Sequence, residues 1–183
     1  SSMAFVDANV VHIALPAIQA DLGARFTDLQ WIVNGYTLML GALLLAGGAL
    51  GDQIGRRRVF ASGIALFAAA SIACALAPTV AFLITSRTVQ GIGAAMLVPQ
   101  SLAIIAVSFP RSVRGGAIGT WAAFSALTTS AAPAVGGFLI DAASWRTVFW
   151  INVPIAAVAL FLIFRRVPES RSAKRERIDW VGA

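Results

Sequence analysis

Long apolar stretches separated by short polar ones dominate the chain. Six of them approach or exceed the ~20 residues that a helix needs to cross a bilayer core of about 30 Å. They cover 3–20, 30–50, 59–77, 80–107, 115–140 and 148–164. The polar breaks are "DLGARFTD", "GDQIGRRR", Pro78, "SFPRSVRG" and "DAASWRT". No stretch shows the period-two alternation of a barrel strand. Backbone polar groups in lipid must bond within their own segment, so runs of this length are helices. The pattern predicts an all-α membrane protein, with 1–164 as one six-span bundle. Residues 165–183 read as a basic cytoplasmic linker ending in the apolar restart "IDWVGA", the start of a seventh span. Only six residues precede Asp7, roughly 9 Å of helix. Span 1 is therefore expected to lack its beginning, and the chain to be the first half of something larger.

Charge orients the spans. Arg56, Arg57, Arg58, Arg111, Arg114, Arg165, Arg166, Arg171, Lys174, Arg175 and Arg177 fall on one side, Arg25 and Arg146 on the other. The rich side is expected to be cytoplasmic, so span 1 runs outward and span 6 returns. Trp31, Trp145 and Trp150 then lie near outer span ends, where interface aromatics gather. The net charge of +6 sits in clusters between apolar runs, which disfavours nucleic acid as a partner and leaves membrane lipid. Charged residues make up 12% of the chain, against about 25% in soluble domains.

Chemistry is limited. The single cysteine, Cys74, excludes a disulfide framework. There is no phosphate-binding G-x-x-x-x-G-K-[ST] loop and no H-E-x-x-H metal motif. The chain is expected not to be an enzyme and to need no cofactor, any transport being driven by an ion gradient.

Two ionisable residues fall inside spans. Intramembrane charges face a bundle interior or wet cavity and mark ion or substrate paths. Asp7 is too short to reach the interface, and a carboxyl group shielded from water can exchange a proton near neutral pH. A structural hydrogen bond is its alternative role. Arg87 lies about six residues into span 4, ~9 Å from its outer end, and could instead snorkel outward. Asn9 and His12 share a helix face. His12, the only histidine, is about 140° around the helix from Asp7, so the two do not pair. Both are candidate pathway residues.

Small residues recur at four-residue spacing: Gly47, Gly51 and Gly55; Gly91 and Ala95; Gly115, Gly119 and Ala123. This spacing permits close helix approach. Pro16, Pro99 and Pro133 are expected to kink spans 1, 4 and 5.

The stretch "GALGDQIGRRRV", Gly48 to Val59, resembles the loop between spans 2 and 3 of the major facilitator superfamily. "RTVQGIGAA", from Arg87, resembles its span-4 motif. "VDANVVHIALP", from Val6, resembles the span-1 motif of its drug/proton antiporter branch. "WRTVFWINVP" and "IDWVGA" are similar to that branch's starts of spans 6 and 7 and favour its fourteen-span subgroup. The resemblance covers nearly the whole chain and implies the six-transmembrane-helix N-terminal half of a major facilitator fold. It implies that Asp7 and Arg87 couple transport to protons, with Gln90 and Gly91 as packing neighbours. Gly48, Asp52, Gly55 and Arg56 would form a conformational latch toward the absent C-terminal half, the two glycines permitting the tight loop. In the span-5 antiporter motif Gly119, Pro133, Gly136 and Gly137 fit, while Thr128 and Ala132 replace glycines, which should stiffen or repack that helix. Asn9 and His12 stand where Thr and Asn are usual, and Gln53 where a basic residue is common.

The implied function is proton-coupled export of drugs or amphipathic small molecules across a bacterial inner membrane. The alternatives are a major facilitator for a sugar, amino acid or lipid precursor, and a non-transporting membrane scaffold of the same fold.

Overall fold

The computed structural model describes residues 2–167 and Glu169. They form seven helices: α1 Ser2–Leu22, α2 Phe26–Ile54, α3 Arg56–Ala75, α4 Val80–Ser108, α5 Arg111–Ala142, α6 Thr147–Trp150 and α7 Asn152–Arg166. Six segments are long and apolar enough to cross a membrane, α6 and α7 together making the sixth. The predicted seventh span lies outside the described residues, as does all of the linker except 165–167 and Glu169.

Local chemistry moves the expected boundaries. Helix α2 begins four residues earlier than its apolar run, because Asp28 caps it: the Arg25 N–H donates to Asp28 Oδ2 at 2.9 Å. Gly23, at φ +62°, supplies the left-handed turn before it. Helix α3 stops at Ala75 rather than Ala77, since a residue ahead of proline avoids helical geometry. Thr79 then caps α4, its hydroxyl accepting from Phe82 N–H at 3.3 Å. Helices α1, α4 and α5 continue through Pro16, Pro99 and Pro133. The break falls in span 6, at Ile151, where Pro154 has no N–H to offer the Trp150 carbonyl.

Helix α4 is the central element, packed between α2 and α3. Its glycines explain how. Gly91 and Gly93 are two residues apart, so they point roughly 200° apart around the helix. A Cβ on Gly91 would lie 2.4 Å from Tyr36 O of α2, and one on Gly93 would lie 2.8 Å from Phe67 N of α3. From α2, Gly47 answers: its Cβ would meet Ala95 O at 2.3 Å. Gln100 strengthens this crossing by donating from Nε2 to Gly47 O at 2.7 Å. Helix α1 packs mainly on α5, where Gly136 admits Val10, and α7 packs on α3.

Other small-residue positions are not used this way. Gly115, Gly119 and Gly137 have open space where a Cβ would stand. Helix α5 buries only Ala132 and Gly136 and exposes Phe124, Leu127 and Phe138. Thr128 satisfies its hydroxyl within its own helix, on Phe124 O at 2.8 Å.

Two apolar clusters fill the bundle. One contains Val11, Ile18, Ile32, Leu83 and Phe149, the other Tyr36, Ile64, Phe67, Leu97 and Ile163. A polar layer lies where they meet.

Neighbouring glycines on α2 make this packing testable. Gly47→Ala forces its methyl onto the α4 backbone and is expected to cost about 1–3 kcal/mol. Gly48→Ala meets only Pro99 Cβ, at 3.7 Å, and should change stability by less than about 0.5 kcal/mol. Thermal unfolding of the detergent-solubilised protein distinguishes them. Equal melting temperatures would contradict the close α2–α4 crossing.

Candidate functional site

Along α1 the buried positions are Ala4, Asp7, Val10, Val11, Ala14 and Ile18, the stripe of a helix facing a core. Asp7 is thus set in an apolar row and points inward. On α4, Arg87 and Gln90 are three residues apart and share the facing side. Asp7 is 2% exposed and Arg87 1%. The expectation that Arg87 could snorkel to the interface is therefore corrected: its guanidinium turns into the bundle and pairs with Asp7, Nη1 to Oδ2, at 2.5 Å.

The pair is enclosed on all sides. Asp7 Oδ1 accepts from Gln90 Nε2 at 3.1 Å and from Asn152 Nδ2 at 2.8 Å. Gln90 Oε1 accepts from Arg87 Nη1 at 2.7 Å and from the Cys74 thiol at 3.7 Å. Arg87 Nε donates to Ile32 O at 3.4 Å. The guanidinium carbon lies 4.3 Å from the Tyr36 ring centre and 5.8 Å from that of Phe149. Both ring faces favour the cation. Tyr36 is fixed in turn, its hydroxyl donating to Ala4 O at 3.0 Å. Asn152 is held by Ser71, accepting at 2.9 Å, and Ser71 donates onward to Phe149 O at 2.9 Å. Every contact on the carboxylate comes from a donor, which satisfies its ionised form.

Sequence reasoning named Asp7, Arg87 and Gln90 but did not join the two charges. It missed Asn152, Ser71 and Tyr36 as partners. Asn152 carried a usable signal, being a lone amide in the apolar run "VFWINVPIAAV". Gly91 lies against the Tyr36 carbonyl of α2, whereas Gln90 bonds the charge pair itself. Asn9 and His12 lie apart from the pair and are exposed, Asn9 Nδ2 donating to Phe5 O at 2.7 Å.

At one end of the bundle Asp52, in the last turn of α2, pairs with Arg56, the first residue of α3. Arg56 Nη2 meets Asp52 Oδ1 at 2.8 Å. Gly55 makes the turn at φ +125°. Gly48 does not contribute to the tight loop: it lies inside α2, seven residues before Gly55. Glu169, beyond α7, joins the same end, accepting from Arg57 N–H at 3.1 Å and lying 3.5 Å from Arg58 Nε.

The opposite end holds a cluster that the sequence did not announce. Asp21 accepts from Trp145 Nε1 at 3.0 Å and from Arg146 Nη1 at 2.6 Å. Arg146 also donates to Ala77 O at 3.2 Å and lies over the Trp145 ring at 4.3 Å. Trp145 is consequently 3% exposed and is not an interface aromatic. Trp31 and Trp150 remain exposed.

An open apolar groove of about 470 Å³ runs between α4 and α5, lined among others by Ile105, Phe109, Val113, Trp121 and Phe124. No residue of the charge pair lines it. Among the described residues, no group of three or more His, Cys, Asp or Glu could hold a metal ion.

The profile of the Major Facilitator Superfamily matches residues 1–181. "Drug efflux pump JefA" of Mycobacterium tuberculosis is 41% identical over 98% of the chain, which spans 36% of that protein. "Tetracenomycin C resistance and export protein" of Streptomyces glaucescens is 42% identical over 86% of the chain and 29% of its own length. A crystal structure of the peptide transporter POT superposes with a TM-score of 0.71 at 20% identity, over 90% of this chain and 36% of that one. The likeness to POT speaks for the fold alone. The chain spans about a third of the length of these relatives.

Removing one member of a buried ion pair costs about 3–5 kcal/mol, whereas removing both together costs far less. Arg87→Leu should therefore lower the melting temperature more than the double variant Asp7→Leu/Arg87→Leu. A double variant as unstable as the sum of its singles would show that the two charges do not depend on each other.

Proposed function

The chain belongs to the major facilitator superfamily, and on that premise we propose that the intact protein is a proton-coupled exporter of drugs or amphipathic small molecules. The observation that carries this reading is the enclosed Asp7–Arg87 pair. A carboxylate buried among donors alone loses its reason for that arrangement when it is protonated. Protonation of Asp7 therefore changes which helix arrangement is favoured, as proton-driven alternating access demands. Substrate would bind near the midplane between this half and the C-terminal half, as in transporters built from paired repeats. The names of the relatives, a drug efflux pump and a tetracenomycin C resistance and export protein, support small-molecule drugs as the cargo class and export as the direction.

Other parts take roles on the same reading. Asp52, Gly55 and Arg56 form one side of a latch closed by the C-terminal half. Asn9 and His12 lie on a part of α1 left exposed by the described helices, where they would face the pathway and tune its cargo. On this reading residues 165–183 lie in the cytoplasm of a bacterium and the protein spans its inner membrane, an orientation that the arginine-rich loops support. Fourteen spans in all fit the antiporter subgroup. The proton gradient takes the place of a cofactor.

Everted membrane vesicles with an imposed pH gradient test this, with ethidium and tetracenomycin C as probes. Vesicles bearing the intact protein should accumulate probe when the gradient is applied. Asp7→Asn should fall to the level of vesicles without the protein while inserting in equal amount. Gradient-driven accumulation undiminished by Asp7→Asn would sink the coupling role.

A further inference from the structure

Asp7 is met by Arg87, Gln90 and Asn152, all as donors. A protonated carboxyl group has the opposite need, an acceptor for its new O–H. A guanidinium offers none. Gln90 Oε1 already accepts from Arg87 and from Cys74. Asn152 differs from both. Its Nδ2 serves Asp7 and Ser71 at once, and among the described residues its Oδ1 accepts no hydrogen bond. It also occupies the first residue of α7, directly after the break at Ile151.

We propose that the Asn152 amide is a switch that carries the protonation state of Asp7 into span 6. This rests on the reading of Asp7 as the coupling acid. With Asp7 ionised, hydrogen bonds run in one direction: Asn152 donates to Asp7 and to Ser71, and Ser71 donates to the Phe149 carbonyl. When Oδ1 of Asp7 takes a proton, the Asn152 amide turns about its Cβ–Cγ bond. Its oxygen then stands where its nitrogen stood. It accepts from the Asp7 O–H and from the Ser71 hydroxyl, which swings away from Phe149. The only covalent bond formed is the carboxyl O–H and the only one broken is an O–H of a hydronium ion, which departs as water when the bundle opens to the proton-rich side. The released Phe149 carbonyl belongs to α6, just ahead of the break before Pro154. A backbone already interrupted there responds at low cost.

Asn152 is thus a positioning residue: it acts through Asp7 and Ser71. The titratable groups sharing the field of Asp7 are Arg87 on α4, Tyr36 on α2 and Cys74 on α3. From α6 and α7 the groups that join the network are Phe149 and Asn152, neither titratable.

Infrared difference spectroscopy of the purified intact protein on acidification tests the switch without knowledge of the cargo. The Asp7 carboxyl band is assigned by its loss in Asp7→Asn, and the Phe149 carbonyl by carbon-13 labelling of phenylalanine and its loss in Phe149→Leu. In the unmutated protein the protonated Asp7 band should lie at a hydrogen-bonded position, and the Phe149 carbonyl should shift with it. Asn152→Leu should move the Asp7 band to higher wavenumber and abolish the Phe149 shift. Ser71→Ala should leave the Asp7 band in place and abolish only the Phe149 shift, and Ser71→Thr should restore it. An Asp7 band unmoved by Asn152→Leu would overturn the switch while leaving Asp7 as the coupling acid. No acid-induced Asp7 band in the unmutated protein would overturn both. If Asn152→Leu does not insert, a Phe149 shift that survives in Ser71→Ala refutes the switch by itself.

Discussion

A carboxylate and a guanidinium sealed inside a membrane bundle set the terms for everything around them. Taking two charges out of water costs several kcal/mol per ion, and their attraction repays that only with near-complete hydrogen bonding. Here the compensation comes from six helices, α6 supplying the Phe149 ring. Asp7 arrives on α1, Arg87 and Gln90 on α4, and Asn152 on α7. Tyr36 and the Ile32 carbonyl come from α2, Ser71 and Cys74 from α3. The pair can exist only if these helices approach closely. The glycine contacts of α4, with Gly91 against α2 and Gly93 against α3, are therefore conditions for the site as much as features of packing.

Polar clusters at both ends keep those helices in register. Asp21, Trp145 and Arg146 tie α1 to the start of span 6 and, through Ala77 O, to the end of α3. Glu169 ties the chain beyond α7 to the start of α3 through Arg57 and Arg58. Both are partly exposed, so each bond contributes little by itself. Their geometric effect is larger, since they anchor α3 and span 6 at opposite ends. Between these anchors Ile151 interrupts the helix and Asn152 touches Asp7.

Much of this was legible before any coordinates. Helix number followed from the length of the apolar runs, because lipid leaves a backbone no other way to satisfy itself. Asp7 and Arg87 stood out because charges in such runs need a reason. Their pairing was not legible: 80 residues separate them, and periodicity on one helix says nothing about which face of another it meets. The same limit hid Asn152 and the contact between Asp21 and Arg146. Glycine spacing was ambiguous for a related reason. Gly47, Gly51 and Gly55 share one spacing, yet Gly47 admits a neighbouring backbone, Gly51 admits the Gln100 side chain, and Gly55 forms a turn. The break in span 6 was not read from Pro154, which stands four residues after Trp150.

The arrangement around Arg87 bears on what happens when its counter-ion is neutralised. On the proposed mechanism a proton on Asp7 leaves a bare cation in the bundle. An unpaired buried charge would ordinarily be intolerable. Arg87 retains the Gln90 and Ile32 oxygens and two aromatic faces, none of which depends on the charge of Asp7. Lysine could not use them together, since one point charge cannot lie over a ring and bond two separated oxygens in a fixed plane. The protonated state is thereby kept within reach, less stable than the paired state but not forbidden. A coupling site needs that balance: an ion pair too well compensated would never take up a proton, and one too poorly compensated would never release it.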